Sequence, residues 1–199
     1  MATALNPRKK PKQPRSAVTV EAILEAAIRI LRQDGWPAVT TTRVAMRAGV
    51  SVGSLYQYFP NREAIAAAIV RRRARDLLGA ALQADVAGAA DRDAVLLRLM
   101  QAFLREKQRD LDLSLAVRDA LPDIQGRQAI LDEIRRALPQ LQDKLSPVLG
   151  RRPEASQLAI ALAAIEGAVW EILTQRPEAI VTPATAASLS RIFRAALAS

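Results

Sequence analysis

Between Thr40 and Arg62 the chain reads TTTRVAMRAGVSVGSLYQYFPNR. Hydroxyl and amide side chains crowd this stretch: Thr41, Thr42, Ser51, Ser54, Tyr56, Gln57 and Tyr58, with Val52 and Gly53 among them and Arg62 at its end. No acid interrupts it. Neutral donors with the cations Arg43, Arg47 and Arg62 among them suit hydrogen bonding to a phosphate-lined surface, not proton transfer or metal binding.

Such groups need elements to hold them. Val44, Ala45 and Ala48 make one apolar patch; Val50, Leu55 and Phe59 make another; Gly49 stands between them. The spacing predicts two short helices joined by a tight turn, with Gly49 taking φ > 0 to close it. Thr40 caps the first helix and Ser51 the second, each accepting from a free backbone N–H. The second helix, about Val52 to Tyr58, carries the outward hydroxyls. Gly53 lets its backbone approach a groove closely. This is a helix-turn-helix pattern.

The run AGVSVGSLYQYFPNRE, Ala48 to Glu63, resembles the core signature of the TetR family of bacterial transcriptional regulators, A-G-V-S-x-G-[ST]-L-Y-x-Y-F-x-[NS]-[KR]-E, without a gap. The resemblance covers about residues 18–70; beyond them only helical pattern and length support it. It implies an all-α fold: an N-terminal three-helix, homeodomain-like DNA-binding domain and a C-terminal helical domain for ligand binding and dimerisation. It also implies that Thr41 and Thr42 touch DNA, that Tyr56 and Tyr58 hold the phosphate backbone, and that Arg62 replaces a usual lysine at a phosphate contact. Val52 departs from the pattern, standing where the family often has a polar or basic residue. It offers only apolar contact, for instance to a thymine methyl. With Gln57 the only amide on this helix, direct base readout is expected to be thin and DNA shape to supply part of the specificity.

The charge is placed accordingly. Of the net +9, residues 1–76 carry 14 Lys/Arg against 5 Asp/Glu, a difference of +9, and residues 77–199 carry 15 of each. A localised excess is the footprint of a polyanion partner. Residues 1–18 hold Arg8, Lys9, Lys10, Lys12 and Arg15, three prolines and no acid. They are expected to form a disordered basic arm, either a solubilising tail or a reach into an adjacent groove.

The expected division is a basic arm over 1–18, a DNA-binding domain over 19–65, and an effector-binding and dimerisation domain over 66–199. A helix is expected from Thr19, as N-cap, to Asp34, with Val20, Ile23, Leu24, Ala27, Ile30 and Leu31 on one face and Trp36 plugging the core. Pro60-Asn61 starts a long helix whose Arg71-Arg72-Arg73 cluster either faces DNA or solvates the helix, the second being expected. Further helices are expected at 92–108, at 110–121, and at 125–148 with Pro139 breaking or kinking the last. Glu154 to Thr174 is the most apolar, and the final helix begins at Thr182-Pro183. Leu158, Leu162, Leu189 and Phe193 are candidate dimer contacts. By resemblance, the last two helices pair with their mates in a four-helix bundle. Met100, Phe103, Leu104, Leu115, Ile165, Glu166 and Trp170 are candidate walls of an effector pocket.

The chain has 199 residues and neither cysteine nor histidine. That removes disulfides, thiolate chemistry, the commonest metal ligand and the commonest neutral-pH base. With no Gly-rich phosphate loop and no acidic cluster, an enzyme is not expected, nor a metal or cofactor. No membrane-length apolar run or signal peptide is expected, and a bacterial cytoplasmic, nucleoid-associated location fits. The partners expected are a double-stranded DNA operator, a second copy of the chain, and a small-molecule effector. The reading is a ligand-responsive repressor on a palindromic operator; the alternative is a constitutive or architectural DNA binder without effector.

Overall fold

The computed structural model describes residues 14–120 and 126–198. Arg8, Lys9, Lys10 and Lys12 lie outside the described residues, as does the side chain of Arg15. All regular structure among the described residues is helical. The chain divides into two compact units, the first comprising residues up to Arg73 with Asp112–Ile130, the second Ala74–Leu111 with Leu131–Ser199.

The first unit opens with α1, Pro14–Asp34. This helix starts earlier than the expected Thr19, so residues 14–18 of the expected arm are helical. Proline suits a first helical position, where its missing N–H would have no partner. A single 3₁₀ turn, Trp36–Ala38, leads to α2, Thr41–Ala48, and α3, Val52–Tyr58. The Thr40 hydroxyl accepts from the Arg43 N–H at 3.2 Å and the Ser51 hydroxyl from the Ser54 N–H at 3.0 Å. Gly49 takes φ 68°, and its N–H closes onto the Ala45 and Met46 carbonyls. The next helix, α4, Arg62–Leu82, begins where the Asn61 carboxamide accepts from the Ala64 N–H at 2.8 Å.

Ile23, Ala27 and Ile30 of α1, Val44 and Ala45 of α2, Leu55 and Phe59, and Ile65 and Ala67 of α4 are all fully buried in one cluster. Burying each larger side chain contributes about 1.5–3 kcal/mol. Polar ties surround this core. Arg43 Nη2 reaches Asp34 Oδ2 at 2.6 Å, joining α2 to α1. Arg72 bridges from α4 to Glu21 and Glu25 of α1. The expected solvation of the arginine cluster therefore fails for Arg72, which is ion-paired, and for Arg73, which is buried. Helix α6, Leu111–Ala120, and the first turn of α7, Gly126–Leu149, complete the unit.

In the second unit, α5, Arg92–Arg109, is capped by Asp91, whose carboxylate accepts from the Ala94 N–H. Helix α7 runs unbroken through Pro139 and Pro147, so of the two expected effects of Pro139, a break or a kink, the break is corrected. Ile134, Ala137, Leu141 and Leu145 are buried on either side of Pro139, which is itself exposed. That continuous stripe outweighs the backbone bond a mid-helix proline removes. Glu133 is buried on α7 and ion-paired with Arg136 and, at 3.8 Å, with Arg75 of α4.

Helix α8, Ala155–Gln175, begins on a capping box between Glu154 and Gln157. It packs on α9, Pro183–Ala198, through a short 3₁₀ turn, Pro177–Val181, that sequence reading did not foresee. Contrary to expectation, α8 is long and apolar enough to cross a membrane by length and composition. Its inward stripe is Leu158, Ala161, Ile165, Val169 and Leu173.

Candidate DNA-binding interface

The helix-turn-helix presents the expected donors on one unit. Val52 and Tyr56 on α3 are 37% and 40% exposed, while Gly53, Gln57, Ser51 and Thr42 are exposed as well. Thr41, Ser54, Tyr58 and Arg62 are half-buried. Leu55 and Phe59 hold the helix down from beneath, so the opposite face is turned outward.

Three geometric facts organise this face. The Thr41 and Tyr56 hydroxyls lie 3.1 Å apart, linking the start of α2 to the middle of α3. The Ser51 and Ser54 hydroxyls lie 2.8 Å apart. Beside the first pair is an open notch lined by Thr40, Thr41, Tyr56, Pro60, Asn61, Arg62 and Glu63. Arg62 is the cation of this notch. Its Nε donates to the Glu63 carboxylate at 3.1 Å, and its guanidinium carbon stands 4.7 Å from the centroid of the Trp36 ring. A guanidinium on an indole face is held electrostatically by the ring quadrupole.

The residues named from the sequence thus fall into two groups. Thr41, Tyr56 and Arg62 meet at the notch. Ser51, Val52, Gly53, Ser54 and Gln57 line the rest of α3 and its cap. Thr42 is exposed on the first turn of α2, and Tyr58 packs against the core cluster from its edge. Sequence reading assigned no role to Thr40 and Asn61 as notch walls, nor to the stack of Arg62 on Trp36. The caps were a local signal for the first two; the stack joins residues far apart in the chain and left none.

In the second unit the candidate contacts need correcting. Leu158, Leu189 and Phe193 are at most 1% exposed in the protomer's own core, so they have no surface left for a mate; Leu162 is half-buried. The exposed apolar side of α8 instead carries Ile160, Ala163, Ala164, Gly167 and Trp170, and α9 adds Ile192. The candidate pocket walls differ in burial. Met100, Leu104 and Ile165 are core residues, Phe103 and Glu166 are half-buried, and Trp170 is 37% exposed. Leu115 belongs to the first unit and the other six to the second. The second unit does have a groove of about 290 Å³ between α5 and α9, with Asp93, Leu96, Leu97, Ala187, Arg191 and Arg194 among its walls.

Residues 23–69 match the family of bacterial regulatory proteins, tetR family. An HTH-type transcriptional regulator of Mycobacterium tuberculosis is 30% identical over 124 residues, which are 62% of this chain and 61% of that protein. The nucleoid occlusion factor SlmA of Actinobacillus pleuropneumoniae is 38% identical over 71 residues, covering 34% of this chain but only 35% of its own length. A TetR-family transcriptional regulator from Streptomyces coelicolor has the same fold, with a TM-score of 0.63 and 25% identity over 91% of this chain and 98% of that one. The matched segment encloses the whole helix-turn-helix, so residues 23–69 form a segment of the tetR-family type, and the all-helical fold along the rest is similar to that of the Streptomyces regulator.

Proposed function

We propose that this protein is a TetR-family transcriptional repressor that binds a palindromic operator as a homodimer and is released by a small-molecule effector. The observation that carries the dimer is the outward side of α8. Ile160 is 64% exposed and Trp170 37%, with small residues between them and Ile192 of α9 exposed at 37%. Apolar surface grouped on one side of the chain's most apolar helix marks an interaction site. Alanine and glycine at 163, 164 and 167 permit close helix approach. A second copy covers this face by the same residues, the isologous arrangement of a twofold dimer. It also supplies the second recognition helix that specific DNA affinity requires.

Thr41, Thr42, Tyr56, Tyr58 and Arg62 bind phosphates in this reading, and Val52, Gly53, Ser54 and Gln57 approach the bases. Arg8, Lys9, Lys10, Lys12 and Arg15 add counterion release. The functional division is a basic arm, a DNA-binding domain over the residues from 19 to 65, and an effector and dimer domain beyond. The effector acts by binding two conformations with unequal affinity, and a coupling of about 1–3 kcal/mol gives roughly 5–150-fold relief. The groove between α5 and α9 is its candidate seat. A bacterial cytoplasmic location follows from DNA as partner.

The test is titration of the pure protein against its own upstream intergenic DNA and against a scrambled duplex at physiological salt. A preference of roughly 10³-fold or more, with a footprint on half-sites about 34–36 Å apart, is expected. Equal affinities that collapse with salt would instead favour a constitutive, non-specific binder. One observation supports that second reading: α3 carries no Arg, Asn or Glu to read a base bidentately.

A further inference from the structure

We propose that Trp36 is a positioning residue for DNA binding: its indole face fixes the Arg62 guanidinium at the notch, where Arg62, Tyr56 and Thr41 converge on a backbone phosphate. The proposal rests on Arg62 being a phosphate contact.

The ring is the unusual part. Trp36 is 6% exposed on a 3₁₀ turn, and its Nε1–H is buried with no hydrogen-bond partner. A buried donor left unsatisfied destabilises a fold, and a phenyl ring would fill much of the same space without one. The indole therefore carries a cost here that a phenyl ring would not. The indole is the aromatic ring that attracts a cation most strongly, and a guanidinium 4.7 Å from its centroid is well within range.

The cation so held is shaped for phosphate. Arginine is planar and stacks flat on a ring while its edge donates in the plane. Glu63 engages the Nε edge at 3.1 Å. The remaining N–H donors sit on the terminal nitrogens, the pair that grips a phosphate bidentately. A free arginine side chain loses rotamer freedom on binding, and one already clamped by a ring and a carboxylate loses less. Because the Arg62 side chain is 37% exposed, the clamp operates where DNA can reach it.

The experiment is a double-mutant cycle on the full chain, read with a mixed-sequence duplex of about 30 bp at low salt, where phosphate contacts dominate and no operator is needed. Trp36→Phe and Trp36→Tyr are each made alone and with Arg62→Ala, and melting is measured without DNA. Arg62→Ala is expected to weaken binding and reduce the salt slope by about one. Each Trp36 variant is expected to weaken binding about two- to fivefold with Arg62 present, to have no effect in the Arg62→Ala background, and to melt within a few degrees of the parent.

A Trp36 effect of equal size in both backgrounds, or none in either, would overturn the positioning role while leaving Arg62 as a phosphate contact. Early melting of both Trp36 variants would assign the indole to the core and overturn it too. Undiminished binding by Arg62→Ala would overturn the phosphate contact together with the proposal.

Discussion

In the first unit the outward side of α3 is made of hydroxyls, an amide, one glycine and the single apolar side chain of Val52. In the second the outward side of α8 is made of isoleucine, tryptophan, alanine and glycine. Both helices are anchored the same way, by a fully buried leucine on the inner face, Leu55 in one and Leu158 in the other. Both start on a side-chain cap. The difference lies wholly in what each leaves outside. The first surface is stable in water; the second leaves apolar side chains in contact with it. In the proposed dimer, one unit is complete by itself and the other is half of an interface.

Substitutions should separate these two kinds of surface. The largest effect belongs beneath them. Leu55→Ala removes a fully buried side chain from the first unit's core and is expected to cost about 3–5 kcal/mol in a urea melt. Oligomeric state should not explain that loss. Ile160→Asp is next: a charge on the uncovered side of α8 should raise the dimer dissociation constant about a hundredfold, roughly 3 kcal/mol, in sedimentation. The fold should persist, because Ile160 touches little within its protomer. A dimer unchanged by Ile160→Asp would break the comparison, since that face would then be uncovered for some other reason.

Smaller changes sharpen the contrast within the first unit. Ser51→Ala removes the cap of α3 and is expected to cost about 1 kcal/mol of stability, seen as a lower melting temperature. Tyr56→Phe keeps the ring and deletes the hydroxyl, so DNA affinity should fall about two- to tenfold with melting nearly unchanged. If Ser51→Ala lowered DNA affinity without lowering stability, its hydroxyl would belong to the reading surface, not to the cap.

Legibility from sequence followed the range of the interactions. The bounds of α3, the cap at Ser51 and the left-handed Gly49 were readable because neighbours within four residues set them. The start of α1 was misjudged at Thr19, because Pro14 reads equally as a coil former and as a first helical residue. Pro139 reads as a breaker until the buried stripe on both sides is counted. The dimer contacts failed for a different reason. On a helix apolar nearly all round, periodicity identifies two buried sides without saying which faces the chain's own core. The stripe chosen was the inner one, Leu158 with Leu189 and Phe193 across from it. The stack of Arg62 on Trp36 depends on tertiary proximity alone.

On the proposed reading, the paired hydroxyls around α3 also bear on how the protein would sample DNA. Each hydroxyl is donor and acceptor at once and changes partner by turning one bond. Thr41 with Tyr56, and Ser51 with Ser54, satisfy each other at 3.1 and 2.8 Å when nothing else is bound. Leaving one base step for the next then breaks no ion pair on this helix and strands no polar atom. Such a surface would have a smooth energy profile along a duplex, with short dwell at wrong sites, and the proposed dimer would reside longest where shape and both half-sites agree.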